Sequence, residues 1–275
     1  MQQLLLFSLL FSFSWACSAS TTLPGHTGPE LKVATFNVNF GLRGDLETAM
    51  ALGTDVDVVC FQETNPTWER RLLEVHGNRL SHHSFVHRAA AGGLGVMSRY
   101  PIEEAEILEG VGWFPAMRIV VQAPLGPVQI LNVHLRPPVS DDGSFVTGYF
   151  TTGSVREEEM QAFAEHLAPD LPTLIMGDFN EESGGDAVEW LSESRQMRDT
   201  LDALDNDDHT WRWTTRWGVK LTGTLDHILF DERLVPVRGK VIDAGRSDHL
   251  PVVATFARPV ITMKAPPRDR GSLSF

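Results

Sequence analysis

LIMGDFNEES, residues 174–183, begins as an apolar strand and ends as a polar loop. Side chains two positions apart on an extended chain share a face. Asp178 and Asn180 can therefore converge on one point while Phe179 turns away. The same stretch is also an ordinary turn, because Gly, Asp and Asn are common where strands stop. The rest of the chain decides between a turn and a reactive pair.

On the N-terminal side, REEEMQAFAEHLA (156–168) places Met160, Phe163, Ala164 and Leu167 at helical spacing and leads into this strand. Further upstream, LKVATFNVNF (31–40) alternates as a strand does, and DVDVVCFQE (55–63) is a strand ending at Glu63. A short helix is expected in GDLETAMALGT (44–54), and PTWERRLLEVHG (66–77) is a second helix with Pro66 in its first turn. HHSFVHRAA, LGVMSRYPI, MRIVVQA and VQILNVHL follow as strands, the last two joined by the turn PLGP. Residues 136–154 have no period and are long for a connection, a length that is often functional. Beyond the opening stretch, DAVEWLSES reads as a helix, and TLDHILF and HLPVVATF as strands. Many short strands, few helices and several hairpins predict one α/β (α+β) domain over 31–257, with two mainly antiparallel β-sheets and helices on the outside. Residues 21–30 read as a flexible leader and 258–275 as a loose tail.

A chain of 275 residues with 42% hydrophobic and 21% charged content can build a sizeable core. Residues 1–20 carry an apolar run from Leu4 to Ala16, shorter than the ~20 residues a spanning helix needs, and read as a signal peptide. No Lys or Arg precedes the run, which departs from the usual signal pattern. Cleavage near Ala19 and lipoprotein-type processing at Cys17 stand as alternatives, so the protein is expected to be exported: periplasmic, lipid-anchored or extracellular. The two cysteines, Cys17 and Cys60, lie in unrelated settings and make no disulfide framework; Cys60 reads as a small core residue. A net charge of −13 opposes a long polyanion, although Arg212, Arg216 and Lys220 cluster in HTWRWTTRWGVK (209–220). Nucleic acid is thus an unfavoured partner. A membrane is reached only through the lipid anchor, since no apolar hairpin suited to insertion is evident. A monomer is expected.

Polar, chemically capable residues recur at the edges of the apolar strands. Asn37, Glu63, His134, Asp178 and Asn180 lie where strands stop, whereas Asp226, Asp248 and His249 lie near where strands start. In antiparallel sheets the end of one strand and the start of its neighbour share a rim, so all of them can meet there. Each alone has a bland reading, as a turn former, a solvated terminus or a hydrogen-bonded structural histidine.

TFNVN, VVCFQE, GVMSRYPI, LNVHL, MGDFN, LDHI and SDHLPVV occur in that order. The set resembles the endonuclease/exonuclease/phosphatase superfamily, which includes DNase I, exonuclease III and neutral sphingomyelinases. The resemblance covers about residues 31–257 and implies a four-layered sandwich carrying a divalent-metal phosphoesterase site on one rim. It implies Mg²⁺ or Mn²⁺ as cofactor, with Glu63 as main ligand, Asn37 beside it and Asp248 assisting; hard oxygen donors suit these ions. It further implies that Asp178 orients or deprotonates the attacking water, that Asn180 stabilises developing phosphoryl charge, and that His249, oriented by Asp226, contacts the phosphoryl group. His134 matches a second phosphate-contacting histidine. The AP-endonuclease branch usually has a tyrosine near that position and an acid where this chain has Asn39, which disfavours abasic-site repair.

The expected function is an exported, metal-dependent phosphoesterase acting on a phosphodiester. A secreted DNase- or RNase-type nuclease, a phospholipid-headgroup phosphodiesterase and a catalytically dead binding module are the alternatives. His82, His83 and His87 read as surface histidines, and His227 as polar support facing away from Asp226. Trp211, Trp213 and Trp217 can stack on bases, touch a membrane or pack, and Arg156 opens a helix at a common family position.

Overall fold

The structure, a computed structural model, describes residues 26, 28–53, 55–109, 112–139, 148 and 151–260. Residues 1–20, read above as a signal peptide, most of the long 136–154 connection and most of the 258–275 tail lie outside these residues. The strands are β1 (Leu31–Asn37), β2 (Val58–Gln62), β3 (His82–Val86), β4 (Leu94–Ser98), β5 (Ile102–Leu108), β6 (Ala116–Ala123), β7 (Gly126–His134), β8 (Thr173–Asp178), β9 (Arg198–Asp199), β10 (Trp211–Thr214), β11 (Lys220–Gly223), β12 (Asp226–Phe230), β13 (Val235–Val241) and β14 (Val252–Ala257). The helices are α1 (Leu46–Met50), α2 (Pro66–His76), α3 (Gly153–Ala164), α4 (Asp186–Arg195) and α5 (Thr200–Ala203).

Two six-stranded sheets form, in the orders β13-β14-β1-β2-β4-β3 and β5-β6-β7-β8-β12-β9. Most pairings are antiparallel, but β1 with β2 and β7 with β8 run parallel, so both sheets are mixed. Each parallel pair is joined through a segment carrying a helix, as a parallel crossover requires. Val33, Cys60, Val96, Ile119, Ile130, Met176 and Ile228 fill the space between the sheets. Burial pushes the Cys60 thiol far above its ordinary range, as befits a packed, inert cysteine. Trp68 and Leu72 of α2 pack on the outside of the first sheet, and Met160, Phe163 and Leu191 of α3 and α4 on the outside of the second. The result is a four-layered sandwich.

The inward column of side chains changes character toward one rim. Along β1 it runs Leu31, Val33, Thr35, Asn37; along β7, Val128, Ile130, Asn132, His134; along β8, Leu174, Met176, Asp178. The polar stretch begins as a buried bridge between the sheets. Gln62 Nε2 donates to Asn132 Oδ1 at 2.7 Å, and Asn132 Nδ2 donates to the Phe61 and Gly95 carbonyls at 3.1 Å each. Such a bridge satisfies every buried amide it brings in and fixes how the two sheets sit at that end.

The hairpin β10–β11 belongs to neither large sheet, and Trp213, Trp217, Val219 and Leu221 on it are all exposed, interleaved with Arg212, Arg216 and Lys220.

Candidate active site

Three neighbouring strands carry the floor of the site. His134 on β7 lies in register with Asp178 on β8, which lies in register with Asp226 on β12. Gly177 just before Asp178 is required by crowding, since a Cβ there would stand 1.9 Å from the Val133 carbonyl oxygen. Phe179 turns back into the outer core and meets His227 edge to face at 5.3 Å. That is the opposite-face placement the alternation of GDFN predicts.

Asp178 is almost fully buried and is the hub. Its Oδ2 accepts from Asn37 Nδ2 at 2.8 Å and stands 3.5 Å from Nε2 of both His134 and His249. Its Oδ1 accepts the Asn180 backbone N–H at 2.9 Å. Asn37 Nδ2 also donates to Glu63 Oε1 at 3.0 Å, so one amide ties the two acids together. The Asn37 oxygen is turned to the Asn39 N–H at 3.0 Å and is the atom that would have to reach an ion. Glu63 sits at φ +60°, an uncommon conformation for a non-glycine residue, with its other oxygen accepting the Phe40 N–H at 3.0 Å. Strain of this kind, costing of order 1–3 kcal/mol, collects at functional sites.

The histidines are held with defined protons. His134 Nδ1 faces the Ala91 carbonyl at 3.2 Å and must donate to it, leaving Nε2 toward Asp178, while its ring stacks on Phe114 with centroids 4.5 Å apart. His249 Nδ1 meets Asp226 Oδ2 at 2.8 Å. Burial opposes a charge on His249, but the carboxylates of Asp226 and Asp178 outweigh it and hold the imidazole up at about 10. Burial raises the Asp226 carboxyl in turn, with His249 opposing. Asp178, Asp226 and His249 each bring an oxygen or nitrogen atom within 4.8 Å of one another, but a protonated His249 has no lone pair for a metal, so this cluster reads as a charge relay and the ion's place falls to other carboxylates.

Asp248 lies at the edge, its Oδ1 accepting from Asn39 Nδ2 at 2.7 Å and its Oδ2 from the Trp211 indole at 3.4 Å. Trp211 also bridges to His249 through the backbone, which docks the base of the β10–β11 hairpin onto the SDH turn. Asn180 adopts φ +54°, which asparagine tolerates, and one of its amide hydrogens goes to the Leu135 carbonyl at 2.9 Å. Glu63, His134, Asp178, Asn180, Asp248 and His249 line one open cavity of about 350 Å³, whose walls are Phe114, Pro137, Pro138, Trp211 and Trp213. Asn37 and Asp226 stand directly behind that surface.

The residues set aside fall elsewhere. His82 and His83 are exposed on β3, and His87 pairs with Glu69 at 2.6 Å. His227 is buried between Asp199 Oδ2 at 3.0 Å and the Glu181 carbonyl at 2.9 Å, beneath the loop that follows Asn180. Arg156 is buried against Glu181 at 2.8 Å, and Glu181 in turn accepts the Ala187 and Val188 N–H groups at the start of α4. Two contributors had no signal in the strand-end pattern: Phe114, and Glu159 on the buried face of α3.

The fold is shared with solved structures of low sequence identity. An endonuclease/exonuclease/phosphatase from Beutenbergia cavernae DSM 12333 is 19% identical, with TM-score 0.63, covering 84% of this chain and 72% of that one. A D. rerio TDP2 complexed with single-strand DNA product is 17% identical, with TM-score 0.62, covering 83% and 99%. The human Nocturnin catalytic domain with bound sulfate is 16% identical, with TM-score 0.60, covering 84% and 94%. No curated protein matches the sequence. The model of the Endonuclease/Exonuclease/phosphatase family, whose enzymes are generally metal-dependent phosphoesterases, matches residues 34–249, and the chain belongs to that family.

Proposed function

We propose that the protein is an exported, divalent-metal-dependent phosphodiesterase that cleaves its ester by in-line attack of water. The observation that carries this reading is Asp178, buried between two imidazoles and tied through Asn37 to Glu63. In-line displacement needs an oriented water, relief of charge on the phosphoryl oxygens and help for the leaving oxygen. Asp178 orients or deprotonates the water. The second Asn180 N–H and the His249 imidazolium face the same cavity and supply donors to the developing charge. His134, with its Nδ1 proton held by the Ala91 carbonyl, offers Nε2 for proton transfer.

The donor set fits a hard cation: Glu63 and Asp248 present carboxylate oxygens to the cavity, and Asn37, behind them, has an amide oxygen that would join after turning from the Asn39 N–H. When bound there, Mg²⁺ or Mn²⁺ would supply charge neutralisation to the phosphoryl oxygens. The apolar walls favour a diester, since they can face an ester substituent but leave the extra charge of a monoester unpaired. Turnover of bis(4-nitrophenyl) phosphate should appear with Mg²⁺ or Mn²⁺, vanish with chelator, and fall by about 10²–10⁴-fold in Asp178→Asn. Folded protein inactive on this diester, DNA, RNA and phospholipid vesicles alike would exclude the reading.

A phospholipid-headgroup substrate is the second reading, favoured by the hairpin. Trp213, Leu221 and Val219 alternate onto one face that continues from the cavity wall, with Trp217 at the tip 75% exposed. Arg216 covers the Trp217 ring at 4.1 Å, leaving that face closed to base stacking, and Val219 and Leu221 cannot stack at all. Trp217→Ala should slow turnover of vesicle-borne diester while sparing the soluble one; equal loss on both, or salt-sensitive DNA cleavage, would favour the alternatives.

A further inference from the structure

Behind the cavity, α3 presents two buried charged side chains one turn apart, Arg156 and Glu159. Glu159 is held by backbone donors. Its Oε1 accepts the Trp113 N–H at 2.9 Å and its Oε2 the Arg136 N–H at 2.8 Å. Trp113 immediately precedes Phe114, the residue stacked on His134, and Arg136 follows His134 by two positions. Arg156 holds the same strap from its other side, with Nη1 donating to the Arg136 carbonyl at 3.4 Å and to Thr152 Oγ1 at 2.7 Å. Its Nε donates to Glu181, the residue after Asn180.

Next to Arg136 lies Leu135, whose N–H donates to the Asp178 carbonyl and whose carbonyl accepts the Asn180 amide, both at 2.9 Å. One helical turn thus holds the residue that follows the carbonyl aiming Asn180, the residue that follows Asn180 itself, and the loop that bears the ring against His134. Apolar side chains here would strand the Trp113 and Arg136 N–H groups and the buried Glu181 carboxylate, so both residues also contribute to stability, and rate and ring signals in folded variants are what isolate their effect on geometry.

We propose that Glu159 and Arg156 are positioning residues, which set the direction of the Asn180 amide and of the His134 imidazole; this rests on the phosphodiesterase reading above. A catalytic group displaced by about 1 Å can lose on the order of 10²-fold in rate. Glu159→Gln keeps the shape but can accept only one of the two N–H groups and must turn its own NH₂ toward the other.

The test measures kcat and KM on bis(4-nitrophenyl) phosphate and records the His134 imidazole nitrogens by NMR. Glu159→Gln should lose about 10–100-fold in kcat with KM within about threefold, shift the pH profile, and move the His134 signals. Arg156→Lys, which keeps the charge but loses the fork, should show a smaller loss in the same direction and carries the test if the first variant does not fold. Asp231→Asn, which weakens the Arg233 pair at the opposite end of β8 and β12, should lower stability and leave kcat unchanged. Folded variants with parental kcat and unmoved His134 signals would overturn the proposal, as would an equal kcat loss in Asp231→Asn. If the parent protein turns over nothing, the phosphodiesterase reading fails by itself, and the His134 signals alone decide whether the clamp positions that ring.

Discussion

Replacing Asp226 by Asn removes one negative charge 2.8 Å from His249 Nδ1, at a place where both side chains are buried. The carboxamide oxygen can still accept the Nδ1 proton, so the ring keeps a partner; what it loses is the main charge that offsets its burial. With Asp226 present the imidazole is held up at about 10, so at pH 8 it is almost wholly protonated. Without it only Asp178 and Asp248 still oppose the burial, so the value falls toward the ordinary ~6.5; at that limit about 3% of the ring carries a proton at pH 8, a loss of up to about thirtyfold in the charged form. Looser orientation of the ring adds about tenfold more. The expected fall in kcat at pH 8 is therefore between about 10-fold and about 300-fold, or about 1.4–3.4 kcal/mol on the barrier. The sign of the pH dependence is the sharper part. Near pH 5.5 both proteins keep the ring protonated, so the deficit should shrink to about tenfold. The pH profile of kcat for bis(4-nitrophenyl) phosphate, with saturating Mg²⁺ or Mn²⁺, checks both points. A variant within threefold of the parent at pH 8, or a deficit equally large at pH 5.5 and 8, would refute the role assigned to the His249 charge.

The remaining expectations concern the frame around the site. His227 is raised from 6.5 to about 9, burial opposing and the Asp199 hydrogen bond and charge prevailing. Its pairing therefore stabilises the fold in full below the ordinary histidine value and ceases to do so as pH rises through about 9. Asp199→Asn should cost about 3–5 kcal/mol at pH 6, with the gap closing above pH 9, in urea melts of both proteins; a pH-independent deficit would contradict the charged pair. Gly177→Ala places a methyl 1.9 Å from the Val133 carbonyl oxygen and should cost at least about 3 kcal/mol, or prevent folding; unchanged thermal stability would show that β7 and β8 are not packed so closely.

The strand-end residues were legible because the alternation of a strand and the chemistry of its last inward position are both local. Asn37, His134 and Asp178 each end an aliphatic inward column, so the polar rim could be assembled without knowing which strands are neighbours. Two strands escaped notice for a physical reason. β5, reading IEEAEIL, and β13, reading VPVRGKV, are edge strands, where acidic residues, Pro and Gly are tolerated or useful and the apolar alternation is weak. The hairpin β10–β11 escaped for the converse reason: its apolar face meets no core, so its Trp and Arg residues resemble a loop cluster until the pairing of Trp213 with Leu221 is seen. Glu159 was hidden more deeply. A glutamate in the run REEEM reads as solvated surface, and nothing in its neighbours announces that its acceptors will be used by backbone N–H groups of Trp113 and Arg136, which any residues could supply. A side chain that acts on side chains leaves a trace at both ends of the interaction, as Asp226 and His249 do; one that acts on backbone leaves a trace only at its own position. Positioning groups of the second kind are thus the part of an active site that three-dimensional structure reveals and sequence pattern does not.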